Sequence, residues 1–177
     1  MRIVVTGFEP FGGESVNVSW EAVKGLHGVE KALLPVSFRR AVSMIREIIS
    51  YHPGAVLCVG EAGGRSRISV ERVAVNLMDA RIPDLDGYQP LDIKIRQDGP
   101  AAFLSTLPTR KLAEGMKNAE LSYTAGTYVC NTVFYALMDA VRDTIPAGFI
   151  HVPKTMELSK ITEALQAAVQ IIAGIRE

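Results

Sequence analysis

The chain has 177 residues, a length typical of one domain and long enough to bury a continuous apolar core. Nineteen Lys and Arg residues balance nineteen Asp and Glu residues, and no run of like charge forms a patch for nucleic acid or membranes. We therefore expect one domain, residues 1–177, whose partners are small molecules or peptides.

The first residues, MRIVVTGFEPFGG, contain an apolar run that is too short for a signal peptide. No stretch approaches the roughly 18 consecutive apolar residues of a spanning helix. Cys58 and Cys130 are the two cysteines of the chain, too few for a disulfide framework or a paired-cysteine metal cluster. These features favour a cytoplasmic protein with a free thiol.

Apolar periodicity and turn residues predict alternating strands and helices along most of the chain. In chain order they predict a strand at 2–6, a helix at 15–25, a strand at 29–36, a helix at 38–51, strands at 55–59 and 68–76, a long surface loop at 80–100, a helix at 109–117, a strand at 119–124, a helix at 129–141, a strand at 149–152 and a helix at 157–172.

This alternation predicts a three-layer α/β/α sandwich around one largely parallel or mixed central sheet. In such sheets, ligands bind beyond the carboxyl ends of the strands. The loops that follow Thr6, Val59 and Val152 should therefore converge with the loop that precedes Cys130.

Cys130 opens the predicted helix NTVFYALMDAV, where free backbone amides and the helix dipole stabilise a thiolate. Its position also suits a small buried core residue, since inert buried cysteines are common. Position alone does not choose between a nucleophile and a structural thiol.

Two further residues supply what a catalytic thiol needs. His151 ends the strand GFIHVP at the sheet edge where a general base would be placed, although a lone histidine there could be structural. Glu71 could orient that imidazole, or it could lie on the solvent face of an ordinary strand. The three residues together favour a thiol hydrolase.

The segment GEAGGRSR permits a different interpretation, a glycine-rich anion site with Arg65 and Arg67. It lacks the spacing of a phosphate-binding or dinucleotide-binding motif. A binding module, or a nucleoside-phosphorylase-like enzyme on the same kind of sheet, is therefore the alternative function.

Six motifs in order, VTGFEPFGG, GEAGGRSRISVERVAVN, DARIPD, STLP, TAGTYVCN and GFIHVP, resemble the signatures of pyroglutamyl peptidase type I, and the resemblance spans nearly the whole chain. It implies removal of an amino-terminal pyroglutamyl residue from peptides through a thioester acyl-enzyme, without a cofactor or metal. It also implies that Glu71, Cys130 and His151 are the catalytic residues, the same three that placement suggests.

The resemblance further implies a substrate pocket. Phe8 and Phe11 match the aromatics that hold the lactam ring, and Tyr128 and Val129 match positions that line it. Packing under a loop or in the core is the alternative for these four residues.

Polar groups around that pocket have open roles. Asn17 matches a residue that shapes the pocket, and it is equally explained as a helix cap. Glu61 stands where relatives have Gln or Leu; its carboxylate could accept the lactam N–H, but we expect it to point into solvent.

An oxyanion needs hydrogen-bond donors, and the backbone amide of Cys130 is one candidate. Arg81, in DARIPD, is the other, with a loop salt bridge to Asp79 or Asp84 as the competing account. Ile82 of the same motif is expected to contact the substrate.

This chain also departs from the family pattern. It is shorter between Trp20 and Pro35 and between Pro153 and the last helix, and the second segment normally contributes to subunit packing. The tetramer that is usual in the family is therefore in doubt here. Tyr123 stands where a small or polar residue is more common.

Overall fold

A computed structural model describes residues 1–175, which form eight strands and five helices. The strands are β1 (Ile3–Phe8), β2 (Glu30–Leu34), β3 (Ala55–Ala62), β4 (Ile68–Glu71), β5 (Val73–Val75), β6 (Ala102–Leu104), β7 (Ala119–Ser122) and β8 (Ala147–Pro153), and the helices are α1 (Val18–Lys24), α2 (Phe38–Ser50), α3 (Thr109–Gly115), α4 (Val129–Val141) and α5 (Leu158–Ala173).

Six strands form the central sheet in the order β2, β1, β3, β8, β4, β7. The first four are mutually parallel, β4 runs antiparallel to β8, and β7 is parallel to β4. The remaining two strands, β5 and β6, form a small antiparallel sheet. The mixed, largely parallel sheet predicted from the sequence is confirmed.

Helices cover both faces of this sheet. The apolar side chains of α1 and α5 share one buried cluster with one face, and those of α2 and α4 share a second cluster with the other face. Helix α4 is buried along most of its length because α2, the sheet and β5 surround it. The three-layer prediction is confirmed, with the end of α4 that carries Cys130 next to the sheet.

One predicted strand is wrong in extent. Residues 68–76 form two strands in different sheets, because the chain leaves the central sheet at Arg72. There the backbone N–H of Arg72 donates to Ser122 and its carbonyl accepts from Ser105. The partner strand β6 lies just after the predicted loop 80–100 and was missed, since three residues carry too little periodicity to reveal a strand.

The first strand extends two residues further than predicted, through Phe8. This is possible because Gly7 has no side chain: a Cβ there would lie 2.8 Å from the Cα of Trp20. Helix α1 therefore packs directly against the strand, and Phe8 lies at the carboxyl end of β1.

None of the helices within residues 1–175 combines the length and the apolar composition needed to cross a bilayer.

Cys58 lies in the middle of β3 and is fully buried. Burial raises the pKa of its thiol to about 12. An unfolded chain exposes this thiol, which then ionises with a pKa of about 8.5. Above that pH the unfolded state binds fewer protons than the folded state, so the stability that this thiol contributes declines as pH rises towards the folded pKa.

We therefore expect the free energy of unfolding to fall more steeply with pH in the wild type than in Cys58→Ala. Between roughly pH 9 and pH 11 the slopes should differ by up to about 1.4 kcal/mol per pH unit. Urea denaturation of both proteins under reducing conditions, followed by Trp20 fluorescence, measures the two slopes. Equal slopes would contradict the prediction.

Candidate active site

The register of two strands brings an imidazole and a carboxylate together. Strands β4 and β8 are antiparallel, with Ser69 opposite His151 and Glu71 opposite Phe149. Side chains two residues apart share a face of a sheet, so Glu71 and His151 are diagonal neighbours. The Nδ1 atom of His151 lies 2.8 Å from Oε1 of Glu71, and both side chains are buried.

This contact selects the tautomer of the imidazole. Oε1 of Glu71 also accepts a hydrogen bond from Arg65, which pairs with the carboxylate at 2.7 Å. A carboxylate acts as an acceptor, so Nδ1 of His151 carries the hydrogen that it donates to Glu71. Nε2 is then free to take a proton. The alternative position of Glu71, on the solvent face of an ordinary strand, is excluded because its exposure is 0%.

The thiol of Cys130 lies against the central sheet at Gly60 of β3. A Cβ placed on Gly60 would come within 2.9 Å of the Cys130 sulfur, so the absence of a side chain makes room for the thiol. Gly60 pairs with His151 in the register of β3 and β8. The sulfur therefore sits beside the strand position that carries the imidazole.

The start of α4 does not make Cys130 a resting thiolate. Burial raises the pKa of the Cys130 thiol to about 12, and the negative charge of Glu71 acts in the same direction. The guanidinium of Arg65 and the backbone N–H of Cys130 itself oppose this shift. The backbone amide at the helix start lowers the pKa in the direction expected, but burial outweighs it, so a base must remove the proton.

Asn131, the residue after Cys130, anchors the start of α4, and the sequence did not predict this role. Its Oδ1 accepts from the backbone N–H of Val75, and its Nδ2 donates to the carbonyls of Val75 and Leu77. The side chain is fully buried. The sequence offered one signal for this role, a polar Asn in the first turn of a strongly apolar helix. These bonds fix the first turn of α4 to the β5 segment.

A cavity of about 120 Å³ adjoins the thiol. It is smaller than the roughly 300–1,000 Å³ of pockets that hold drug-sized ligands. Six side chains expected around a ligand line it together with Cys130: Phe8, Phe11, Asn17, Glu61, Tyr128 and Val129. Val16 and Val36 complete the lining and were missed, because nothing in their local sequence marks them.

Aromatic rings form the apolar wall of this cavity. The ring of Phe11 packs on Tyr128 with centroids 5.8 Å apart, and Tyr128 meets Phe38 edge-on at 5.2 Å. The hydroxyl of Tyr128 donates to the carbonyl of Pro83 at 3.0 Å, which ties the wall to the loop 80–100. Phe8 packs against Phe149 from the sheet side.

Asn17 has the capping role that the sequence allowed. Its Oδ1 accepts from the backbone N–H and the hydroxyl of Ser19, and its Nδ2 donates to the carbonyl of Glu9. The carboxylate of Glu61 does not point freely into solvent as expected. Its Oε2 accepts the backbone N–H of Val18 at 2.8 Å in the first turn of α1. Both residues therefore shape the cavity by fixing the start of that helix.

Arg81 and Ile82 lie outside this cavity. They line a groove of about 550 Å³ together with Asp79, and Tyr128 belongs to the lining of both the groove and the cavity. The alternative role of Arg81 was a salt bridge with Asp79 or Asp84. The ion pairs of residues 1–175 include neither of these two. Asp84 is buried and instead accepts backbone N–H groups, including that of Phe38.

Both arginines of the glycine-rich segment GEAGGRSR form hydrogen bonds to other groups of the protein. Arg65 binds Glu71 and the carbonyl of Thr124, while Arg67 binds Glu120 and the carbonyl of Ala119. Across residues 1–175, no group of three or more His, Cys, Asp or Glu side chains is arranged to hold a metal ion. In this arrangement the two arginines serve the protein's own acceptors.

A family model described as pyroglutamyl peptidase matches residues 1–173 of the chain. A pyrrolidone-carboxylate peptidase from Bacillus subtilis is 49% identical over 167 residues, covering 86% of this chain and 78% of that protein. The protein of the same name from Bacillus amyloliquefaciens is 43% identical, covering 99% of this chain and 94% of that protein.

Solved structures agree with the sequence matches. The crystal structure of pyroglutamyl peptidase I from Bacillus amyloliquefaciens superposes with a TM-score of 0.94 at 42% identity, covering 98% of this chain and 95% of that chain. Pyrrolidone carboxyl peptidase from Thermococcus litoralis gives a TM-score of 0.91 at 36% identity, with 97% and 93% covered. With a family model that matches nearly its whole length, this chain belongs to the pyroglutamyl peptidase family.

Proposed function

We propose that this protein is a cysteine peptidase that hydrolyses the amide bond after an amino-terminal pyroglutamyl residue of peptides. The observation that carries the proposal is the buried 2.8 Å contact between His151 and Glu71, with the thiol of Cys130 beside it at the edge of a small apolar cavity. The names of the relatives support the same activity.

In the proposed mechanism, Nε2 of His151 removes the proton of the Cys130 thiol as the sulfur attacks the substrate carbonyl carbon. A base is needed because burial holds the thiol neutral. Glu71 stabilises the imidazolium that forms. The imidazolium then gives its proton to the leaving amine, a thioester remains on Cys130, and water attacks it with the same histidine as base.

The tetrahedral oxyanion needs donors that do not move during the reaction. Cys130 is the second residue of α4, so its backbone N–H belongs to the first helical turn and has no acceptor within the helix. This N–H is the proposed first donor. Arg81 is the proposed second donor, because it lines the groove that shares Tyr128 with the cavity.

The proposed ring site is the cavity of about 120 Å³. Pyroglutamate is a five-membered lactam without a charged amine, so apolar walls with few polar groups suit it. Phe8, Phe11, Tyr128 and Val129 supply those walls, and Asn17 and Glu61 hold one rim in place. Ile82 would contact the peptide on the leaving side. A free charged amino terminus would lose its hydration in such a site.

We infer one catalytic domain for the chain, because the central sheet recruits strands from Ile3 to Pro153 and α5 packs back on α1. Cys58 and Cys130 do not form a disulfide with each other, which suits a reducing compartment such as the cytoplasm.

Replacement of the thiol tests the proposed mechanism directly. Cys130→Ala should lower kcat for a pyroglutamyl arylamide by more than about 10⁴-fold, because no acyl-enzyme can form. Cys58→Ala is the matched control for loss of a thiol and should keep most of the activity. Hydrolysis by Cys130→Ala at the wild-type rate, or no hydrolysis by the reduced wild type, would contradict the proposal.

Arg81 can be assigned by the kinetic parameter that changes. As an oxyanion donor it acts in the transition state, so Arg81→Ala should lower kcat by about 10²- to 10³-fold with little change in KM. Arg81→Lys, which keeps a cationic donor, should recover part of kcat. A rise in KM for longer peptides at unchanged kcat would instead identify Arg81 as a contact of the leaving peptide.

Replacement of Gly60 tests how the packing of the sheet positions the Cys130 thiol. In Gly60→Ala the new Cβ would lie 2.8 Å from Phe149 and 2.9 Å from the Cys130 sulfur. Overpacking of this kind costs about 1–3 kcal/mol of folding free energy, and displacement of the sulfur should reduce kcat about 100-fold. Gly63→Ala is the control, since nothing lies within 4 Å of its Cβ position. Equal stability and activity of the two variants would refute the packing argument.

A further inference from the structure

We propose that Arg65 is a positioning residue of the active site, which holds the Glu71 carboxylate in place for His151 and ties it to the loop that leads to Cys130. The inference rests on the proposed peptidase function. Arg65 does not touch the cavity and is expected to act through Glu71.

The guanidinium of Arg65 joins three separate segments. Arg65 itself lies in the loop after β3, its Nη1 donates to Oε1 of Glu71 at the end of β4, and its Nη2 donates to the carbonyl of Thr124. Both distances are 2.7 Å. Thr124 lies six residues before Cys130, on the loop that enters α4. A planar guanidinium can satisfy both acceptors at once, which a lysine ammonium does less well.

The carboxylate depends on this contact because it is completely buried. Arg65 and His151 are the hydrogen-bond donors to Glu71 within residues 1–175, and both reach Oε1, while Oε2 has no partner there. An ionised carboxylate without a cationic partner is strongly disfavoured in a protein interior. Arg65 therefore lets Glu71 stay charged while the imidazole of His151 is still neutral.

The positive charge of Arg65, which contacts Glu71, also opposes uptake of a proton by the Glu71 and His151 pair. The thiol of Cys130 on α4 lies beside the pair, and Cys58 of β3 lies on the same face of the sheet, opposite Phe149; burial raises the pKa of both thiols to about 12 and keeps them neutral. Arg65 is the cation among these groups, so its removal makes uptake of a proton by the pair more favourable. The base form of His151 would then be lost at a higher pH.

Arg67 offers a matched control two residues away. It makes the same kind of contacts, one nitrogen to the carboxylate of Glu120 and another to the carbonyl of Ala119. These contacts lie on the outer strand β7 and include no active-site group. Loss of Arg67 removes an arginine, an ion pair and a backbone contact without affecting Glu71.

The test compares wild type, Arg65→Gln and Arg67→Gln by two readouts. In Arg65→Gln we expect kcat/KM for a pyroglutamyl arylamide to fall about 10- to 100-fold and the acid limb of its pH profile to move to higher pH. The NMR titration of the His151 Cε1–H signal should move in the same direction. The chain has three histidines, so His151→Gln identifies the signal. Arg67→Gln should match the wild type in both readouts.

The outcomes separate this inference from the proposed function. A shifted NMR titration in Arg65→Gln supports the inference even if the wild type fails to cleave the arylamide, which would overturn the function alone. An active wild type with Arg65→Gln unchanged in both readouts overturns the inference. If Arg65→Gln does not fold, Arg65→Lys replaces it: reduced kcat with a wild-type titration midpoint supports the two-point contact, and wild-type kcat refutes it.

Discussion

The structure of the site depends on one buried carboxylate. Glu71 is the last residue of the inner strand β4, and its side chain is fully buried. A charge in that position requires partners that compensate for lost hydration. Those partners are His151 on the adjacent strand and Arg65 on the loop after β3. Because Arg65 also binds Thr124, the same charge draws in the loop that leads to the thiol. A single electrostatic requirement thus brings four chain segments together.

Two contacts fix the position of helix α4 in this arrangement. Gly60 lets the first turn approach the sheet, and Asn131 ties that turn to β5. The close approach has an electrostatic consequence, since burial raises the pKa of the Cys130 thiol to about 12. A neutral thiol is a poor nucleophile, which makes a base with a fixed tautomer necessary. The contact between His151 and Glu71 supplies this base. The packing that buries the thiol therefore makes the neighbouring pair necessary for its activation.

Local patterns in the sequence were enough to predict the layers of the fold. Alternating strand and helix periodicity comes from which residues each element buries, and that is a property of short segments. The segment around Arg72 has the local pattern of one strand but forms two. The break arises where the backbone of Arg72 bonds with Ser122 and Ser105, partners more than 30 residues away. No local pattern reports such distant pairing.

The sequence by itself determined the family, through the order of its motifs, and the candidates Glu71, Cys130 and His151. Only the tertiary structure decided their surroundings: Arg65 beside the carboxylate, Glu61 bound to a helix start, and Arg81 in a separate groove. The physical reason is that residue types record which chemistry is possible at a position. Hydrogen-bond partners and burial depend on strand register and loop paths, and these are set by the packing of the whole chain.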